Sequence, residues 1–160
     1  MILSTKGRYA VMAMVDLANQ PTGKPITLAA IAERQEIPLA YLEQIFARLK
    51  RCGLVDALRG PGGGYKLARA ASETLISDIV LAADEAIKMT RCEGAGTPGC
   101  MAPKTRCLTH DLWDGLGQQI FSFLHAISLE DVLKRRVHEK FPSQHPVMHT
   151  DALYAASANA

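Results

Sequence analysis

The stretch Arg59-Gly-Pro-Gly-Gly-Gly-Tyr-Lys66 constrains the fold of this chain more than any other. Four glycines and a proline in five consecutive residues cannot lie inside a helix or a straight strand. Leu54, Val55 and Leu58 lead into the run, and Tyr65 and Leu67 lead out of it. Two short apolar segments joined by glycines predict a β-hairpin with a loose tip, with Tyr65 packed beneath it. The run is not a phosphate loop. Such a loop needs glycine directly before the lysine and then a hydroxyl residue, whereas Tyr65 precedes Lys66 and Leu67 follows it.

Everything before the hairpin reads as helix. Ala10, Val11, Met14, Val15 and Ala18 recur at three- and four-residue steps after a cap at Ser4 or Thr5. The run Gln20 to Pro25 breaks this helix. Thr27 caps a second, short helix with Leu28, Ile31 and Ala32 on one face. A third begins at Pro38, a residue suited to a first helical turn, and carries Leu42, Ile45, Phe46 and Leu49 as its inner stripe. Gly53 is placed to end it, with Lys50 and Arg51 in the last turn. Three helices and a hairpin predict a winged helix-turn-helix.

That fold assigns candidate DNA contacts. The third helix enters the major groove and offers Ala40, Tyr41, Glu43, Gln44 and Arg48 on its outer face. Gln44 matches the edge of adenine, and Glu43 accepts a hydrogen bond from the cytosine amino group. A carboxylate repels phosphate, so Glu43 also penalises sites that offer no donor; alternatively it serves only the helix N-terminus. At the wing, Arg59, Gly60, Pro61, Gly62 and Lys66 face the backbone or the minor groove. Charge follows the same division. Residues 1–70 hold ten Lys/Arg against five Asp/Glu, and residues 71–160 hold eight against eleven. A basic first half suits an anionic partner such as double-stranded DNA.

Downstream, Leu75 to Ile87 and Leu108 to Ile127 read as helices. In the second, Leu112, Leu116, Ile120, Phe123 and Ile127 form a long apolar stripe, either a core face or a seam against a second copy of the chain. Ser128 to Arg136 offers a capped turn or two, and residues 137–160 show no period. The expected division is a DNA-binding unit at 1–74, a ligand loop with dimerisation helices at 75–136, and a structureless tail at 137–160. The expected class is mainly α. No stretch is long and apolar enough to span a membrane, and the first twenty residues lack the order of a signal peptide, which places the chain in the cytoplasm. No nucleophile, base and acid fall at a recognisable spacing, so no enzyme is expected. His138, His145 and His149 lie in the tail and His125 in a helical pattern.

Residues 91–110 contain Cys92, Cys100, Cys107 and His110, three of the four cysteines in the chain. Reducing cytoplasm disfavours a disulfide. Zinc sites prefer ligand pairs two to four residues apart, which only Cys107 and His110 satisfy. An iron–sulfur cluster tolerates wider gaps. Spacing leaves cluster and zinc both open. A histidine in place of a thiolate makes a cluster less negative, eases its reduction and leaves it labile to acid. Thr109 is placed to cap the following helix, putting His110 in a first turn that keeps its imidazole neutral. Cys52, apart from the rest, reads as a small buried hydrophobe.

The segments STKGRYAVMAMVDLA, ERQEIPLAYLEQIFARLKRCGLV, RGPGGGYKLAR and RCLTHDLW together resemble the Rrf-type winged-helix transcription regulators over about residues 1–133. GPGGGY marks the wider family, and the three cysteines ending in Cys-Leu-Thr-His resemble its iron–sulfur-sensing members. The resemblance implies a bacterial homodimer holding a 2Fe–2S cluster on Cys92, Cys100, Cys107 and His110, loaded by the cluster-assembly machinery. It implies repression of cluster-assembly genes in the bound form and regulation of other sites in the free form, with Glu43 helping to decide which sites need the cluster. It implies DNA contacts by Tyr41, Gln44, Arg59 and the wing. Alternatives are a nitric-oxide or iron sensor of the same family, or a zinc-stabilised DNA-binding module. The chain departs from the family pattern at Glu36, where glycine is usual, and at Pro38 and Ala40, where serines are common. Its cysteine gaps are also longer, and its tail does not match.

Overall fold

Spacing of apolar residues in the first fifty positions dictates three helices that share one interior. The computed structural model describes residues 5–20, 24–83 and 106–142. Helix α1 (Thr5–Ala18) buries Ala10, Ala13, Met14 and Leu17. Helix α2 (Leu28–Gln35) starts on Thr27, whose side chain accepts from the Ala30 N–H at 3.2 Å. Helix α3 (Leu39–Arg51) buries Leu42, Ile45, Phe46 and Leu49, the expected inner stripe. Pro38 is the residue that caps α3 rather than its first helical residue, and it offers no side-chain cap.

The two ends that frame the helix-turn-helix close in the same way. At α3, Leu54 N–H donates to Leu49 O and Gly53 N–H to Lys50 O, both at 3.0 Å, with Gly53 left-handed at φ 67°. At α2, Ile37 N–H donates to Ala32 O at 3.1 Å, and the left-handed residue is Glu36 at φ 53°. A residue with a Cβ pays about 1–2 kcal/mol there. Glu36→Gly is therefore expected to raise unfolding stability by about 1 kcal/mol, part of the relief being offset by glycine's greater unfolded-state freedom. Urea denaturation checks this, and no gain would contradict it.

Strands β1 (Val55–Leu58) and β2 (Gly64–Leu67) form the antiparallel hairpin, with Val55 opposite Leu67 and Leu58 opposite Gly64. Gly62 turns the tip at φ 77°. Gly64 has a second reason to be glycine: a Cβ there would stand 2.5 Å from Ile26 O. That approach lets Ile26 pair with Tyr65 through two backbone bonds of 2.9 and 2.7 Å, anchoring the wing to the segment before α2. Tyr65 packs edge-on against Phe46, ring centroids 4.9 Å apart, as expected.

Helix α4 (Ile76–Ala82) buries Ile76, Ile79 and Val80 in the same hydrophobic cluster as α1 and α3, so one core continues across the boundary expected after residue 74. The remainder of the helix expected to Ile87 lies outside the described residues. Helix α5 (His110–His125) is followed by α6 (Leu129–Leu133). Ile127, expected in the apolar stripe of α5, instead lies beyond its end and is 3% exposed in the protomer core, where its carbonyl accepts from Ile76 N–H at 2.9 Å. The helix stops because Ser128 and Asp131 form a reciprocal capping box that starts α6.

A structureless tail was expected from residue 137, but Val137–Lys140 forms a helical turn, α7. Lys140 Nζ holds Asp131 Oδ2 at 2.6 Å and the Ala126 carbonyl at 3.1 Å, which ties the turn down. Asp131 is 3% exposed, and its bonds from Lys140 and Ser128 hold its carboxyl well below the usual carboxylate range. Its stabilising contribution is present above the ordinary aspartate range and is lost as pH falls through the lowered folded value. Asp131→Asn should cost about 2 kcal/mol near neutrality, the weight of a charge-assisted hydrogen bond. The gap between variant and wild type should narrow below about pH 4. Thermal unfolding at pH 7 and pH 3 checks this; a gap that does not change with pH would contradict it.

Candidate nucleic-acid interface and ligand turn

The outer face of α3 follows from its buried one. With Leu42, Ile45, Phe46 and Leu49 turned inward, Ala40, Glu43 and Gln44 are exposed. Tyr41 and Arg48 are half-buried, and the Tyr41 ring stands edge-to-face on Tyr9 at 5.7 Å. Tyr41 thus has a packing role as well as its candidate groove position. Arg59, Gly60, Pro61 and Gly62 are exposed at the tip of the wing, and Lys66 is exposed on β2, 4.0 Å from Asp56. One left-handed turn at Gly53 joins the end of α3 to the wing, so both candidate surfaces hang on the same short, rigid connection.

A second clamp was not foreseen from the sequence. The Asp16 carboxylate, 7% exposed in α1, accepts from Arg34 Nε at 3.0 Å and Nη2 at 2.7 Å, and from Gln35 Nε2 at 3.3 Å. This bidentate pair fixes α2 against α1 and so sets the platform on which α3 is presented. The signal available in the sequence was a carboxylate inside the apolar stripe of α1, next to buried Met14 and Leu17.

Of the candidate ligands, Cys92 and Cys100 lie outside the described residues. Cys107 and His110 are both half-buried and share one turn, in which His110 N–H donates to Cys107 O at 3.0 Å. His110 opens α5 as expected. Thr109 occupies the cap position but makes no side-chain cap; its hydroxyl stands 3.5 Å from Cys107 Sγ. Among the described residues no three His, Cys, Asp or Glu side chains converge on one point, because half of the candidate set falls outside them. A soft thiolate and a borderline imidazole in one turn fit either a cluster or zinc. Cys52, expected to be buried, is exposed at the C-cap of α3.

Along α5, Leu112 is 64% exposed, Trp113 40%, Phe121 38% and Phe123 39%, while Leu116 and Ile120 are half-buried. The Phe123 ring stands 4.7 Å from the Phe141 ring. No helix among the described residues is long and apolar enough to cross a membrane.

A three-helix core followed by a glycine-tipped wing defines a winged-helix fold, the class used by DNA-binding transcription regulators. The chain belongs to the Rrf2 family, whose model, described as an iron-dependent transcriptional regulator, matches residues 3–135. The HTH-type transcriptional regulator IscR of Xenorhabdus nematophila is 49% identical over 136 residues, 85% of this chain and 81% of that protein. IscR of Escherichia coli is 46% identical over 136 residues, 85% of this chain and 82% of that protein. Among solved structures, T. potens IscR matches with a TM-score of 0.68 and 34% identity over 91% of this chain and 94% of its own. CymR, described as the global cysteine regulator of B. subtilis, matches with a TM-score of 0.67 and 27% identity over 84% of this chain and 98% of its own.

Proposed function

We propose that this chain is a cytoplasmic, dimeric transcription regulator that senses iron–sulfur supply and, with a 2Fe–2S cluster bound, represses cluster-assembly genes. The observation that carries the reading is the turn at the head of α5, where Cys107 and His110 are held by one backbone bond at a helix start. Cys92 and Cys100 complete the ligand set in this reading. When bound, such a cluster supplies a redox-active, acid-labile centre, donated by the assembly machinery. His110 contributes a neutral donor, which makes the ligand set less negative than four thiolates. The exposed Leu112 and Phe123, with Leu116 and Ile120 beside them, form the surface offered to a second copy. Two copies of a recognition helix then address two half-sites of one operator.

Within each half-site Gln44 reads a base, while Arg59 and Lys66 position the backbone. Gln44→Ala is expected to lose about 1–3 kcal/mol of discrimination at one base pair, with nonspecific affinity little changed. Operator titrations with single-base variants check this; a uniform loss on all sequences would instead assign Gln44 to phosphate.

The reading is tested by anaerobic purification with iron, sulfide and zinc analysis. About two irons and two sulfides per chain with visible absorbance are expected. A colourless protein with one tight zinc per chain would support a zinc-stabilised module instead.

A further inference from the structure

Helices α4 and α5 meet where the start of α4 lies against the end of α5, and the candidate ligand His110 opens α5 at its other end. At the meeting end the backbone is bolted: besides the Ile76–Ile127 bond, Leu129 N–H donates to Thr74 O at 2.9 Å and Glu130 N–H to Ala71 O at 3.1 Å. Beside these bonds the Ser77 hydroxyl, fully buried in α4, lies 3.1 Å from Nδ1 of His125 in the last turn of α5. The imidazole is stacked on Phe121, one turn earlier, with ring centroids 5.3 Å apart and planes at 18°. At the opposite ends, the sequence runs on from Ala83, just past α4, to Cys92 and Cys100, and α5 begins at His110.

The lever arms are unequal. Helix α5 has 16 residues and spans about 24 Å, so its ligand-bearing turn lies far from the contact with α4. Helix α4 is short and has its other side sunk in the core formed with α1 and α3. Among the described residues, the α4–α5 junction links the head of α5 to the core that carries the recognition helix. The backbone bonds fix the position of that junction. The Ser77–His125 contact adds a side-chain link across the same junction, from a buried serine to an exposed imidazole.

We propose that Ser77 and His125 are positioning residues that latch α5 to α4 and set how far ligand occupancy at the head of α5 changes operator affinity. The proposal rests on the sensing function proposed above. Neither residue touches DNA or a ligand in that reading, so both are separable from the machinery they couple.

The test uses full-length Ser77→Ala, His125→Leu and His125→Asn, the last keeping a hydrogen-bonding atom near the place of Nδ1. Two quantities are read: operator affinity with and without cluster, and amide hydrogen exchange of the cluster-free protein across residues 76–82 and 118–127. For Ser77→Ala and His125→Leu, the ratio of the two operator affinities should fall by about fivefold, the weight of one hydrogen bond. The visible spectrum and iron content should match wild type, and exchange near the junction should rise. His125→Asn should restore most of the ratio and the protection. An unchanged ratio in both disrupting variants of a wild type that does switch overturns the latch alone. Unchanged exchange in the cluster-free protein overturns it independently of any cluster. A wild type that binds no cluster overturns the sensing function, and the coupling role with it.

Discussion

Phe46→Ala should destabilise the protein by about 3–5 kcal/mol, the usual cost of emptying a phenylalanine site in a core. Phe46 is fully buried in α3 and stands edge-on to Tyr65 of β2. Its removal takes away the largest side chain between the recognition helix and the wing. A stability of about 5–15 kcal/mol is typical for a domain, so the variant would sit near the edge of folding. A second effect follows from position. Tyr65 is paired to Ile26 by its backbone and supported by Phe46 through its ring, so the wing loses the ring contact and keeps the backbone pairing. DNA affinity of the folded fraction should fall along with stability. Urea unfolding and operator titration at low temperature separate the two effects. A cost below about 1 kcal/mol would mean that the site collapses to fill the space.

Under the proposed function, Cys107→Ala should act in the opposite sense: little change in folding and a complete loss of sensing. The thiol is half-buried and stands 3.5 Å from the Thr109 hydroxyl, so removing it leaves no large cavity. The variant should lose the visible absorbance of the cluster. The difference in operator affinity between cluster-bound and cluster-free preparations, about 5–150-fold in coupled systems, should vanish. Cys52→Ala is the matched control, because Cys52 is exposed at the end of α3 and remote in sequence from the ligand turn. If Cys107→Ala kept the spectrum and the switch, the ligand set would need to be redrawn.

Period and punctuation made most of the winged domain legible. The α3 stripe is visible because residues at three- and four-residue steps must share a face, and all four of its members are buried. The wing is visible because GPGGG leaves the chain no other regular option, and Gly53 marks the end of α3. The left-handed Glu36 was legible only through the family's glycine at that place. What escaped depends on tertiary contact. The Asp16–Arg34 clamp joins residues eighteen positions apart on two helices. The Ile26–Tyr65 pairing is a single bridge with no alternating run around it. Helix α7 is four residues long and is held by Lys140 on Asp131, which no local propensity encodes. Ile127 was misplaced because the apolar step of four continues past Ala126, although Ser128-Leu-Glu-Asp131 already spells a new helix start.

The ligand site divides in a similar way. Residue types and the resemblance named Cys92, Cys100, Cys107 and His110. The structure adds that the last two share one turn at the head of α5, and that the far end of this helix is bolted to the winged domain at Ile76 and Ser77. The Ser77–His125 contact had no sequence signature, since neither residue belongs to a motif and they are 48 positions apart.

The measurement that bears most directly on sensing is operator binding by one anaerobic preparation, titrated before and after its cluster is removed by chelation. The account predicts a shift in affinity of at least about fivefold at cluster-dependent operators, with the shift absent in Cys107→Ala. Equal affinities before and after removal, in a protein that demonstrably held the cluster, would contradict it.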